Sequence, residues 1–311
     1  IIVFKISTTK KILSISLFSI FILSLYIYGN YLINKNEKML ADAEKKILVK
    51  VISPNFELKY GLSKNEIEER LSKLIKYSDP DKDSPTLFIW PEGVFSGYSY
   101  SELSNLKNIF KKNFSKKHYI ILGSNKLERQ SMQYFNSMLV LNNNFEIVQS
   151  YNKRKLVPFG EYLPFENFLN SFGLKKITEG HGSFLKGKIN KNLLIDDYNI
   201  LPLICYEVIF TDFIQKSKEE TNLIINISED GWFGDSIGPN QHFAKSIFRA
   251  IENNTFFVRS ANKGISAIID NKGNVIKQLD RNEAGNIELE VPLVKSKKNK
   301  NDLIFFILLI T

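Results

Sequence analysis

One cysteine, Cys205, stands in 311 residues, alongside three histidines and two tryptophans. A lone thiol excludes an internal disulfide. It fits a reducing compartment, or an exported protein that keeps its thiol free for use. His118, His181 and His242 are scattered and offer no metal-ligand spacing with one Cys, so no metal or other cofactor is expected. His118 adjoins Lys116-Lys117 and reads as surface, His181 as a loop residue, and His242 as a structural hydrogen-bonding group. The formal charge is +9, carried mostly by lysines dispersed among Asn and Ile. No dense arginine patch and no basic-aromatic motif accompanies it, which argues against nucleic acid as a partner.

Charge is missing altogether from Ile12 to Asn34, where Leu, Ile and Phe dominate. At about 1.5 Å per residue a helix of this length crosses a bilayer core of about 30 Å. Lys10, Lys11 and Lys35 flank it, and Tyr26, Tyr28 and Tyr31 suit an interface belt. A signal peptide cleaved at Ala41-Asp-Ala43 is the alternative, but the apolar stretch is too long for one. Asp302-Leu-Ile-Phe-Phe-Ile-Leu-Leu-Ile-Thr311 resembles the start of a second span, and the chain begins at Ile1. Both ends therefore read as fragment boundaries. The expected plan is a leading segment 1–11, a span 12–34, a linker 35–46, a domain 47–294, a basic linker 295–302 and a truncated span 303–311. Lysines on both sides leave orientation open.

Between the spans, strand and helix patterns alternate and then strands cluster, which predicts an α/β layered sandwich with a mixed sheet. Ile47–Ser53, Thr86–Trp90, Tyr119–Gly123, Ser137–Leu141, Leu223–Ser228, Phe256–Ser260 and Ser266–Asp270 read as strands. Lys64 to Tyr77 is an amphipathic helix with Ile67, Leu71, Leu74 and Ile75 on one face. Ser101–Phe114 and Pro239–Asn253 are also helical. No internal repeat is visible.

Three reactive groups sit at strand ends or special turns. Thr86-Leu-Phe-Ile-Trp-Pro delivers Glu92, and Tyr198-Asn-Ile-Leu-Pro-Leu-Ile delivers Cys205. Lys155 lies in the proline-broken Lys155-Leu-Val-Pro-Phe-Gly-Glu-Tyr-Leu-Pro-Phe165. Taken singly, each has an inert reading: a helix cap, a surface lysine, a core thiol. Together they can perform acyl transfer, which needs a nucleophile, a base and an oxyanion site. Glu92 would take the thiol proton. Lys155 would stay protonated, favour the thiolate and hold the oxyanion, with the Tyr206 N–H as second donor.

Trp90-Pro91-Glu92, the Lys155–Phe165 segment and Cys205-Tyr206-Glu207 resemble the Glu-Lys-Cys signature of the nitrilase, or carbon-nitrogen hydrolase, superfamily. Gly231-Trp-Phe-Gly-Asp-Ser-Ile-Gly-Pro-Asn-Gln-His242, Arg249-Ala-Ile-Glu252 and Arg259-Ser-Ala-Asn-Lys-Gly-Ile265 narrow the resemblance to the bacterial apolipoprotein N-acyltransferase family. It covers about residues 47–292. Two segments depart from the family pattern: Glu229-Asp230 where Asn-Asp is common, and Gly93-Val-Phe-Ser96 where small residues and a proline usually follow.

The resemblance implies a nitrilase-like α-β-β-α sandwich flanked by transmembrane helices, on the periplasmic side of a multi-pass protein of the bacterial inner membrane. It implies transfer of a fatty acyl chain from phospholipid, through a Cys205 thioester, to the α-amino group of a diacylglyceryl-cysteine on an apolipoprotein. It makes Glu161 a second essential carboxylate, physically able to pair with Lys155. Glu207 either bonds the neighbouring loop or is a buried charge satisfied by backbone. Phe159, Tyr162, Trp232 and Phe233 are the aromatics expected at the acyl chain, with Phe95, Tyr98, Phe165, Phe168 and Phe172 as further candidates. A membrane monomer is expected. The competing readings are an anchored nitrilase-like amidase or carbamoyl hydrolase, and an inactive domain that only binds lipoprotein.

Overall fold

The structure, a computed structural model, describes residues 7–165, 182–188, 191–211 and 221–293. The expected second span at 303–311, the basic linker 295–302, Phe168, Phe172 and His181 lie outside those residues. The chain divides into two units, Ile1–Glu44 and Lys45–Thr311.

The first unit holds α1, Thr8–Ala41, whose N-terminus is capped by the Ser7 hydroxyl accepting from the Lys10 N–H. Its apolar part, Thr8–Lys35, is the one described helix long and apolar enough to cross a membrane. The helix continues to Ala41, so the expected linker is helical over most of its length. Nothing in that stretch breaks a helix: Lys35-Asn-Glu-Lys-Met-Leu-Ala41 lacks Gly and Pro.

The second unit is two six-stranded sheets. In chain order its elements are β1 (Lys46–Ser53), α2 (Lys64–Ser78), β2 (Thr86–Ile89), α3 (Lys107–Asn113), β3 (His118–Glu128), β4 (Gln133–Leu141), β5 (Ile147–Asn152), β6 (Leu193–Ile195), β7 (Tyr198–Ile204), β8 (Leu223–Glu229), α4 (Gly238–Asn253), β9 (Phe256–Asn262), β10 (Ser266–Ile269), β11 (Val275–Leu279) and β12 (Gly285–Pro292). The first sheet runs β12-β1-β2-β3-β4-β5 and the second β6-β7-β8-β9-β10-β11. Each has three parallel strands at positions two to four, with antiparallel strands outside them. The repeat that the sequence hides is thus present in the topology. Strand order depends on hydrophobic pattern and turn placement, which survive when residue identities do not.

The sheets stack face to face. Ser260 Oγ donates to the Ile52 carbonyl across the interface at 2.8 Å, and Val49, Val51, Ile224, Val258 and Ile268 are fully buried. Helix α2 covers the first sheet. Its capping box joins Ser63 and Glu66, its buried face is Ile67, Leu71 and Leu74, and it ends at Asp79 in the left-handed conformation before Pro80. Trp90 meets Phe110 edge-on, 5.6 Å between ring centres, and donates its Nε1–H to Ser78 at 2.9 Å. His118 is not at the surface. It is buried against Phe88 and Phe114, with Nε2 2.8 Å from the Asp81 carbonyl and Nδ1 accepting from the Ser115 N–H. Helix α4 lies on β9 and meets the 3-10 turn that starts at Cys205.

Candidate active site

The ends of β2, β5, β7 and β8 open into one cleft of about 470 Å³. Glu92 arrives two residues beyond Trp90. Gly123 of β3 lies beneath it: a Cβ there would stand 2.8 Å from Glu92 Cα, so only glycine lets the strand pass. One Glu92 oxygen accepts from Asn136 Nδ2 at 2.6 Å, and the other from the Glu229 N–H at 3.1 Å. Burial pushes the Glu92 carboxyl above its ordinary pKa, against the pull of Lys153.

The cleft lysine is Lys153, not Lys155. Lys153 is buried, with its ammonium 2.9 Å from Glu161 and 3.8 Å from Glu92. Lys155 is exposed, its ammonium 5.2 Å from the centre of the Phe210 ring. The cause is strand alternation. Tyr151 is buried on β5, and Lys153, two residues on, keeps the same side while its N–H still pairs with the Asn136 carbonyl. The chain then turns. The N–H groups of Arg154 and Lys155 both donate to Glu207 Oε1, at 2.7 and 3.0 Å, which leaves the Lys155 side chain facing out. Two carboxylates beside Lys153 raise its pKa despite burial, so it stays protonated.

Glu161 pairs with that lysine. It also accepts from the Val157 N–H at 2.9 Å and from Asn136 Nδ2 at 2.8 Å. Asn136 on β4 therefore bridges the two carboxylates. Sequence reasoning passed over it because the expected strand began at Ser137, whereas β4 begins at Gln133. Glu207 is fully buried and held by the N–H groups of Ile204, Arg154 and Lys155 and by the Tyr151 hydroxyl. It joins the turn carrying Cys205 to the loop carrying Lys153.

Cys205 ends β7 and opens its 3-10 turn at φ 49°, a left-handed conformation that costs a side-chain-bearing residue on the order of 1–3 kcal/mol. Its carbonyl accepts from His242 Nε2 at 3.1 Å and from Asn226 Nδ2 at 3.4 Å. His242 and Asn226 are tied in turn to Arg259, which forms a fully buried ion pair with Asp230 at 2.7 Å. Desolvation, then the Glu92 charge, pushes the thiol pKa up to about 12, while Lys153 pulls it down. The resting sulfur is therefore a thiol that needs a base, and Glu92 shares its cleft.

Trp232 and Phe233 line the cleft with Phe95, Tyr98, Phe184 and Tyr206. Phe159 and Tyr162 do not. Pro158, Gly160 and Glu161 take the lining positions of that loop, and Phe159, at φ 62°, is turned outward and half exposed. Phe165 is 85% exposed. Glu229 also lines the cleft, and the sequence had marked it only as a departure from the family pattern. Among the described residues no cluster of His, Cys, Asp and Glu is arranged to hold a metal ion.

Two stacked mixed sheets bring a carboxylate, an ammonium and a thiol together at converging strand ends, the groups that nucleophilic catalysis by cysteine requires. The carbon-nitrogen hydrolase family model matches residues 61–299, and the chain belongs to that family. It is 32% identical over 275 residues to a protein of Rhizobium leguminosarum bv. trifolii named apolipoprotein N-acyltransferase, and 35% identical over 272 residues to one of that name from Wigglesworthia glossinidia brevipalpis. Each alignment covers 85% of this chain, and 51% and 52% of the relatives, so the chain spans about half their length. Among solved structures it is similar in fold to an amidase from Nesterenkonia sp. (TM-score 0.58, 15% identity, 84% of this chain and 95% of the amidase). Nit3 of Saccharomyces cerevisiae, a nitrilase superfamily member, is another fold neighbour (TM-score 0.57, 16% identity, 80% and 91%).

Proposed function

We propose that this chain is the catalytic part of a membrane-bound N-acyltransferase that acts in lipoprotein maturation, with Glu92, Lys153 and Cys205 as its reacting groups. The observation that carries the reading is the placement of the single thiol in one cleft with a buried ammonium and two carboxylates. The names of the relatives support the choice of substrate, and the apolar helix Thr8–Lys35 supports attachment to a membrane; we take that membrane as the bacterial inner membrane, with the catalytic domain on its periplasmic side. The aromatic lining suits a fatty chain.

In the first half-reaction the Cys205 sulfur attacks the ester carbonyl carbon of a phospholipid as its proton passes to Glu92. The Lys153 ammonium and the Tyr206 N–H hold the oxyanion. The N–H groups of a first helical turn lack intrahelical partners, so the 3-10 turn beginning at Cys205 makes a donor available there. Collapse breaks the ester C–O bond, and Glu92 returns the proton to the leaving lysophospholipid oxygen. In the second half-reaction the α-amino group of a diacylglyceryl-cysteine attacks the thioester, the C–S bond breaks, and Glu92 carries the amine's proton to the leaving sulfur. Fixed donors in a cleft shielded from bulk water stabilise charge without reorganising, and losing one typically costs about 3–4 kcal/mol.

Intact-mass measurement of the full-length protein after mixing with phospholipid vesicles tests the reading. The expected result is an acyl adduct that is absent in Cys205→Ser and discharged by a diacylglyceryl-cysteine peptide. Turnover of small amides with no acyl adduct would establish the amidase instead, and no reaction in folded protein would establish a binding domain.

A further inference from the structure

The cleft holds one more carboxyl group than the acyl-transfer machinery uses. Among the described residues, its lining includes three carboxyl groups, Glu92, Glu161 and Glu229, and one ammonium, Lys153. Lys153 faces the first two. Glu229, at the end of β8, forms no ion pair among the described residues. Its Oε1 accepts from the Gly231 N–H at 2.9 Å and its Oε2 from Asn262 Nδ2 at 2.8 Å. Both donors are neutral. Asn262 cannot turn its amide round, because its Oδ1 accepts from the Phe56 N–H and its Nδ2 donates to the Phe56 carbonyl.

Charged groups around Glu229 include Glu92 and Asp230 beside it, Arg70 of α2, and Lys263, whose stem passes the Gly231 turn while its ammonium pairs with Glu57. The Arg70 guanidinium donates to the Val94 and Glu57 carbonyls instead. Contact with Glu92 is close. The Glu229 N–H donates to Glu92, and a Cβ at Gly93 would lie 3.1 Å from Glu229 Oε2. A buried carboxyl with neutral donors and a like-charged neighbour is a poor resting arrangement and a good receptor for a cation. Burial raises its pKa to about 8. A docked ammonium would draw it back to the ionised form.

We propose that Glu229 is a specificity-determining residue that receives the ammonium form of the acceptor's amine beside Glu92, so that an amine rather than water discharges the thioester. The proposal rests on the acyltransferase reading. The incoming R–NH3+ gives one proton to the Glu229 carboxylate. The neutral nitrogen attacks the thioester carbon, and Glu92 takes a second proton as the amide forms. The C–S bond breaks, the sulfur takes the proton from Glu92, and Glu229 keeps the proton it received, which replaces the one it gave up to solvent when the ammonium docked. Water has no charge to dock and gains nothing from the second carboxyl.

The test partitions the thioester of the full-length protein, loaded from phosphatidylethanolamine–phosphatidylglycerol vesicles, between amide and free fatty acid. With a diacylglyceryl-cysteine peptide, Glu229→Gln should lower the amide-to-fatty-acid ratio about tenfold, equivalent to about 1.4 kcal/mol. Hydroxylamine is uncharged at neutral pH and should keep its ratio within about twofold. Glu229→Asp should restore most of the peptide's advantage. An unchanged ratio, or an equal loss for peptide and hydroxylamine, overturns the proposal. Should the variants fail to fold, the wild-type protein answers the question. The same peptide with a trimethylated N-terminus should inhibit hydroxylamine discharge at lower concentration than its N-acetylated form, and equal inhibition overturns the proposal. Absence of any adduct in wild-type protein overturns the acyltransferase reading itself.

Discussion

Glu92 follows β2 and Glu229 closes β8, the third strand of each sheet, yet the two carboxyls live differently. Glu92 has an ammonium at 3.8 Å and an amide donor shared with Glu161. Glu229 has neutral donors only. The supports behind them differ as well. Trp90, Phe88, Phe110 and Phe114 back the first sheet with edge-on and tilted rings. The second sheet's strand ends are backed by the buried Arg259–Asp230 pair with His242 and Asn226. An apolar backing suffices for a side chain delivered by a straight strand. A left-handed cysteine needs its carbonyl held from two sides, and only polar groups can do that.

The contrast is broken most severely at Arg259. Arg259→Met leaves Asp230 buried without its cation and should cost about 3–5 kcal/mol in denaturant unfolding. Phe110→Leu, in the apolar backing, should cost about 1–2 kcal/mol. The two losses should also respond differently to acid. Arg259 and hydrogen bonds hold Asp230 far below the usual carboxylate range, so its contribution is complete above about pH 5 and fades as pH falls below about 4. The cost of Arg259→Met should shrink there, and that of Phe110→Leu should not.

Next comes the assignment of the cleft lysine. Lys153→Met should slow Cys205 acylation at least 100-fold, about 3 kcal/mol or more, and Lys155→Met less than about threefold. Comparable losses at both positions would return Lys155 to the site.

The smallest effect sharpens the pairing of carboxyls. A raised folded pKa on an acid means that the folded state holds the proton longer, so stability falls as pH rises from about 4.5 through 8. Glu229→Gln should remove most of that decline, measured by unfolding at pH 5 and pH 8.5. An identical decline in both proteins would mean that Glu229 ionises as an ordinary surface acid.

Much of this architecture was legible. Ile67, Leu71 and Leu74 declared α2 by spacing alone, and the apolar runs before Glu92 and Cys205 declared strands that end at chemistry. Period-two alternation was legible too, but the motif around Leu156-Val-Pro outweighed it. Tyr151 and Lys153 lie two apart on one strand side, whereas Lys155 lies past the turn. The loop aromatics misled because a turn can aim a ring either way: Phe159 needed a positive φ that no composition announces. The Arg259–Asp230–His242 set was invisible as a unit, since its members come from separate elements and meet only after both sheets have formed.

Gly123 has a consequence for how such a site can change. It contributes no side chain, yet the path of the backbone that carries Glu92 depends on it. A methyl group at that position would press on the backbone carrying Glu92 from below and lift the carboxylate into the space meant for substrate. Loops around the cleft can vary in length and in the side chains they present. The floor beneath Glu92 is already as thin as a polypeptide permits, so change in this cleft is confined to its walls.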